Sequence, residues 1–125
     1  MGFWIFMMIM NLLIPVTMVV FGLCFIKKAP KEINKHYGYR TAMSVKNKDT
    51  WQFAHNYCGE IWLKWGLLLL SASVVLMIIT IKQNIETIIN VSVVLCIVQL
   101  VVMLYSIVPT EKALKRTFDE NGNRK

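Results

Sequence analysis

Charge is absent from three long stretches of this sequence. No Asp, Glu, Lys or Arg precedes Lys27, and none occurs in the ranges 65–81 and 88–108. An apolar run of about 20 residues can cross the roughly 30 Å hydrocarbon core of a bilayer as a helix. The chain is also 56% hydrophobic, more apolar than a soluble domain of 125 residues requires. The sequence therefore predicts a single all-α membrane domain over residues 1–125, with three transmembrane helices at about 3–26, 65–81 and 88–108.

Residues suited to catalysis, metal binding or disulfide formation are few and scattered. Three cysteines lie far apart: Cys24, Cys58 and Cys96. They suggest no disulfide framework. Asp49 and Glu60 are eleven positions apart, and no glycine-rich phosphate loop accompanies them. His55 and Cys58 are spaced to reach one ion, with His36 as a third ligand, but no paired Cys or His-Glu motif supports such a site. We therefore predict no catalytic residue, no metal site, no cofactor and no enzyme activity.

The basic residues predict an orientation. Eight of the fourteen lie between the first two spans and five lie in the C-terminal tail, whereas the turn between the second and third spans has only Lys82. Because loops rich in Lys and Arg stay on the inner side, we expect residues 27–64 and 109–125 to be cytoplasmic and the N-terminus to be outside. The first run lacks a basic segment before it and a small-residue cleavage site after it, so we expect an anchor rather than a signal peptide. The net charge of +7 then indicates contact with lipid headgroups, not nucleic acid.

The polar segment 27–64 is predicted to fold as a cytoplasmic cap. Lys31–Tyr37 is predicted to be a short interfacial helix. A second helix is predicted from Asp49 or Thr50, because either side chain can cap its first amides. Apolar residues then recur every three or four positions up to Trp65. This amphipathic helix either lies on the inner leaflet or extends the second span into the cytoplasm.

Internal bonds are expected to hold this cap together. The planar guanidinium of Arg40 suits a carboxylate, and Asp49 is the obvious partner nearby. We predict that Arg40, Asp49 and His55 bond to one another or to a helix end. In the tail, a short helix is predicted after Pro109, with Leu114 and Phe118 touching the membrane or the cap and with frayed last residues.

A few polar side chains fall inside the spans. Gln99 lies near the centre of the third span, and Ser71 and Ser73 lie at a similar depth in the second. The antiparallel arrangement predicts a hydrogen bond between Gln99 and these serines, worth roughly 1 kcal/mol. No ionisable residue lies mid-span, which disfavours proton or ion transport. Small residues around Ser71 also permit close packing between copies, so a homo-oligomer is among the predicted assemblies.

The segment between the first two spans also resembles a known family signature. The residues that carry the resemblance are Gly38-Tyr39-Arg40-Thr41, Ser44, Asn47, Asp49-Thr50-Trp51, Ala54-His55, Gly59 and Trp62. They are similar to the signature of the SdpI family of bacterial immunity membrane proteins. The following pair of spans and the segment from Pro109 to Phe118 also fit, in a short three-span form. We take the same residues, together with Lys48 but without Ala54, as the candidate functional motif.

The resemblance implies a multi-pass protein of the bacterial cell membrane that protects the cell from a secreted antibacterial peptide toxin, by binding or shielding rather than catalysis. The founding system of the family also uses its immunity protein to hold a transcriptional repressor at the membrane. Signal transduction through such a repressor is therefore an alternative, and a small membrane enzyme using His55 with Glu60 is a weaker one. The predicted partners are the lipid bilayer, a peptide toxin and a transcriptional repressor.

Overall fold

Four helices make up most of the described part of the chain. The computed structural model describes residues 2–27, 33 and 38–125. The helices are α1 (Gly2–Lys27), α2 (Lys48–Ile79), α3 (Ile85–Tyr105) and α4 (Ile107–Thr117). Three helical stretches are long and apolar enough to cross a membrane: α1, α2, and α3 continued by α4. The prediction of an all-α fold with three membrane-spanning helices is confirmed, while the helix predicted over Lys31–Tyr37 lies outside the described residues except at Ile33.

The second span continues without a break into the polar segment. α2 begins at Lys48, well before the predicted start of the span at Trp65, so the amphipathic helix is an extension of the span and does not lie apart on the leaflet. The prediction that Asp49 or Thr50 is the N-cap is wrong, because the N-cap lies two or three residues earlier. Asn47 is the N-cap: its Oδ1 accepts from the Thr50 N–H at 2.9 Å, and the Thr50 hydroxyl accepts from the Asn47 N–H at 3.1 Å. This reciprocal pair is a capping box, which satisfies two N–H groups at the helix start.

The third span is shifted towards the N-terminus relative to its predicted range. α3 begins at Ile85 after Asn84, whose Oδ1 accepts from the Thr87 N–H at 2.8 Å. It ends at Tyr105, and α4 follows almost directly. Pro109 therefore lies inside the first turn of α4, where a missing N–H leaves no helical hydrogen bond unmade.

Glycines bring α1 and α2 into close contact. A Cβ on Gly22 would lie 2.9 Å from the Gly59 carbonyl oxygen, and a Cβ on Gly59 would lie 2.9 Å from the Gly22 carbonyl oxygen. The same contact continues two turns after Gly59 on α2, where a Cβ on Gly66 would lie 3.0 Å from the Met18 Cβ of α1. Small residues allow such close approach in a membrane, where van der Waals packing drives helix association. Gly59, which belongs to the candidate motif, therefore has a packing role between the first two spans.

The predicted hydrogen bond between the second and third spans is present. The Gln99 amide Nε2 donates to the Ser73 hydroxyl at 2.7 Å, and both side chains are buried. The same expectation for Ser71 is wrong: Ser71 is exposed and donates to the Leu67 carbonyl of its own helix at 3.0 Å. Two positions along a helix correspond to a rotation of about 200°, so only one of the two serines can face α3.

Gln99 also donates a hydrogen bond to a main-chain carbonyl of α1 that a proline leaves without its helical donor. Its Nε2 donates to the Asn11 main-chain carbonyl at 2.9 Å. That carbonyl lies four residues before Pro15, whose nitrogen carries no hydrogen. Inside a bilayer, such a carbonyl needs another donor, and α3 supplies it.

Replacing Gln99 with Leu should destabilise the bundle by about 1–2 kcal/mol, because the Asn11 carbonyl then loses its donor. Adding Pro15→Ala should recover much of this loss, because the substituted residue again offers a main-chain N–H to that carbonyl. The measurement is reversible unfolding of both single variants and the double variant in detergent micelles. Strictly additive effects would show that Pro15 and Gln99 are not coupled.

Candidate functional site

The motif begins with a loop, residues 38–47, that closes onto α2. Gly38 has φ +109°, a conformation that side-chain-bearing residues rarely adopt. The next main-chain N–H, that of Tyr39, donates to His55 Nε2 at 2.9 Å. A Cβ on Gly38 would lie only 2.5 Å from the same nitrogen. Glycine is therefore required here both for the backbone conformation and for the close approach to His55.

His55 acts as a bridge between this loop and the first turns of α2. Its Nδ1 lies 2.8 Å from the Trp51 carbonyl oxygen, so we assign the proton to Nδ1 and leave Nε2 as the acceptor for the loop. The ring centroid lies 4.4 Å from that of Trp51 and 4.9 Å from that of Phe25, which meets it edge-on from α1. His55 is fully buried in this setting. Its polar atoms are both used to hold main-chain groups.

Ser44 and Thr50 satisfy the rest of the loop backbone. The buried Ser44 hydroxyl accepts from the Thr41 N–H at 2.7 Å and lies 3.1 Å from the Tyr39 carbonyl oxygen, to which it can donate. The Thr50 hydroxyl lies 3.0 Å from the Ser44 carbonyl oxygen. Short polar side chains of this kind can replace the main-chain partners that a helix or sheet would provide. Many of the polar motif residues therefore serve to satisfy the main-chain hydrogen-bonding groups of the loop itself.

Asp49 has a partner that the sequence did not suggest. Arg124 meets its carboxylate with two hydrogen bonds, Nε to Oδ2 at 2.8 Å and Nη2 to Oδ1 at 2.9 Å. The prediction that Arg40, Asp49 and His55 bond to one another is therefore wrong for Asp49, which binds the C-terminal segment. For His55 the alternative of a bond to a helix end is confirmed, because its Nδ1 lies against the Trp51 carbonyl near the start of α2. Because the Arg124–Asp49 pair is about half exposed, it orients the chain more than it stabilises the fold.

The C-terminal residues are tied to the start of α2, so the prediction that they fray is wrong. The Asn47 side-chain amide donates to the Gly122 carbonyl at 2.7 Å. Gly122 has φ +85°, and a Cβ there would lie 2.6 Å from Asn47 Nδ2. The Lys125 N–H donates to the Thr117 carbonyl at 3.0 Å, which folds the last residues back on α4.

α4 packs under the loop, as predicted for the apolar side of the tail. The Tyr39 hydroxyl donates to Glu111 Oε1 at 2.8 Å. Burial, with the neighbouring Glu111 carboxylate, raises the pKa of Tyr39, so the phenol keeps its proton. Leu114 and Phe118 are buried in one cluster with Tyr39. The predicted contact of the tail with the cap is confirmed.

A pocket of about 300 Å³ lies beside the loop, and we call it the motif pocket. Every helix contributes to it, together with loop residues 38–41. Its walls include Phe25, Arg40, Cys58, Trp62, Leu104 and Ile107. Trp62 is held in place by donating its Nε1–H to the Ser106 hydroxyl at 2.7 Å. The pocket is thus mainly apolar, with the basic residue Arg40 in its wall, and it has the size of a small-ligand site.

The possible metal ligands do not come together. Among residues 2–27, 33 and 38–125, no three His, Cys, Asp or Glu side chains are placed to hold one ion. The ring of His55 is engaged with the main chain on both sides. His36, the third candidate, lies outside the described residues.

These features define a multi-pass membrane protein with a folded polar motif between its first two spans. The model of the SdpI/YfhL protein family matches residues 31–110, which include the motif loop, α2 and α3. The chain therefore belongs to the SdpI/YfhL protein family. The match ends at Thr110, so the resemblance of the segment up to Phe118 remains a prediction. No curated protein and no solved structure matches the chain.

Gly38→Ala should destabilise the loop by roughly 1–3 kcal/mol, because the backbone strain adds to a clash with His55. The measurement is the rate of proteolytic cleavage within residues 38–47 of the purified protein, together with its midpoint of thermal unfolding in detergent. Gly2→Ala is the matched control, since a Cβ there meets nothing within 4 Å. Equal behaviour of the two variants would contradict the role given to Gly38.

Proposed function

We propose that this protein is an integral membrane immunity protein, which protects a bacterial cell from a secreted antibacterial peptide toxin by binding or shielding. Membership of the SdpI/YfhL family supports this proposal. The observation that carries it is the motif pocket, because loop residues of the family motif and side chains of every helix meet there. A shielding protein needs such a specific surface more than it needs reactive groups.

The distribution of basic residues supports an orientation for this site. Thirteen of the fourteen belong to the two segments predicted to be cytoplasmic. The tail meets the first segment where the Tyr39 hydroxyl donates to Glu111 and the Asn47 side chain donates to Gly122, so both segments lie at the same end of the bundle. We therefore place the motif pocket at the inner boundary of the membrane and the N-terminus outside.

The chemistry of the pocket suits a membrane-active peptide. Such a peptide carries apolar side chains, for which the walls around Trp62 and Leu104 offer a matching surface. The planar guanidinium of Arg40 at the pocket suits a carboxylate of the peptide, such as its C-terminus. Binding of one segment in this way would keep the peptide from assembling elsewhere in the bilayer.

The bonding of the polar motif residues supports binding over catalysis. A general base must have a free lone pair within reach of its substrate. In His55 that lone pair accepts the Tyr39 N–H. The hydroxyls of Ser44 and Thr50 are also engaged, because each lies within hydrogen-bond distance of a main-chain carbonyl oxygen to which it can donate.

Arg40→Ala and Leu104→Trp should each reduce protection by on the order of tenfold or more. The first removes a charge-assisted contact worth about 1.5–3 kcal/mol, and the second fills the pocket. The measurement is survival of a sensitive host that expresses each variant at equal membrane levels during challenge with a panel of secreted peptide toxins.

Matched controls are Lys82→Ala, in the turn beyond α2, and Leu100→Trp, an exposed position one turn earlier on α3. Both should protect like the unchanged protein. Full protection by the two pocket variants would remove the motif pocket from the mechanism. If a DNA-binding protein also co-purified with the chain during toxin exposure, the repressor-capture alternative would be favoured instead.

A further inference from the structure

A second groove, of about 430 Å³, runs between α2 and the α3–α4 segment, and we call it the outer groove. Tyr57, Ile61 and Trp65 form its α2 side, at intervals of four residues. Val101 and Tyr105 from α3 and Pro109 from α4 form the other side. It is therefore a different surface from the motif pocket, with which it shares the Ser106 junction.

The aromatic residues of the outer groove indicate a position where the hydrocarbon core meets the headgroups. Trp65 opens the charge-free part of α2, and Tyr105 is the last residue of α3. Both are exposed on the outside of the bundle, Trp65 by 43% and Tyr105 by 64%. Trp and Tyr at such positions are typical of a membrane interface. The bilayer itself therefore supplies the chemistry that covers this groove, namely lipid acyl chains.

The charge at the polar rim of the groove selects among lipids. Lys64 follows Ile61 by three positions on α2, and Lys112 follows Pro109 by three positions on α4, so each lies within one helical turn of a residue that lines the groove. Arg116 extends the same face of α4 by one more turn. These three side chains are exposed, and the acidic side chain that shares this side of α2 is Glu60. The excess of positive charge is complementary to a lipid phosphate with no balancing cation.

From this placement we propose that the outer groove is a binding site for one anionic phospholipid, with an acyl chain between Trp65 and Tyr105 and the phosphate against Lys64 and Lys112. A zwitterionic lipid fits the apolar part equally well but carries its own cation, so it gains less from the rim. The site does not depend on the immunity function, because it uses neither Arg40 nor the motif loop.

The test is fluorescence quenching of the full-length protein in phosphatidylcholine vesicles. A fixed mole fraction of the lipid is replaced by brominated phosphatidylglycerol in one set and by brominated phosphatidylcholine in the other. Subtracting the signal of the Trp65→Phe variant isolates Trp65 from the other tryptophans. We expect brominated phosphatidylglycerol to occupy the site preferentially, by roughly fivefold for each basic residue at the rim.

The triple variant Lys64→Gln/Lys112→Gln/Arg116→Gln should lose this preference while keeping the quenching common to both lipids. Lys82→Gln, at the opposite end of the bundle, should retain the preference. Equal quenching by the two lipids in the unchanged protein, or a preference that survives in the triple variant, would overturn the proposal. Equal quenching that disappears only when a peptide toxin is added would also overturn it, and would assign the groove to a peptide.

Discussion

The hydrogen bond from the Tyr39 main-chain N–H to His55 Nε2 determines how the polar end of this protein is built. The bond is buried, and the His55 ring that accepts it packs against the rings of Trp51 and Phe25. An unpaired N–H in such surroundings costs about 1–3 kcal/mol. The acceptor at position 55 and the glycine conformation at position 38 are therefore required together. The family motif is in the first place a solution to a folding problem, and the motif pocket is shaped by that solution.

The same constraint operates deeper in the bundle, where main-chain groups have no water at all. Pro15 leaves the Asn11 carbonyl without its helical donor, and Gln99 provides one from α3. Ser73 then accepts from the same amide nitrogen. The arrangement is not complete, because Gln99 Oε1 is buried and finds no donor in the described part of the chain. One polar side chain thus joins all the spans, since each of the others contributes one partner to it.

The two proposed sites depend on the junction between α3 and α4. Ser106 lies there, accepts the Trp62 N–H at 2.7 Å and lies 2.6 Å from the Met103 carbonyl oxygen. Its position sets the wall that the motif pocket and the outer groove have in common. One groove is built from motif residues with a guanidinium, and the other from interfacial aromatics with lysines at the rim. This difference in chemistry is why we propose a peptide for the motif pocket and a lipid for the outer groove.

The sequence by itself determined the number of spans and their approximate depth, because crossing a bilayer is a requirement on consecutive residues and can be read along the chain. The similar depth of Ser73 and Gln99 in the bilayer also followed from counting residues along the two spans. Only the tertiary structure decided that Ser73 and not Ser71 faces Gln99, because the rotation of α2 about its axis depends on its packing against the other helices, including the close contact of Gly22 with Gly59. It also decided that Asp49 pairs with Arg124, 75 positions away, and that the tail closes on the start of α2. Such contacts join residues far apart in the chain, and their geometry exists only once the helices have packed.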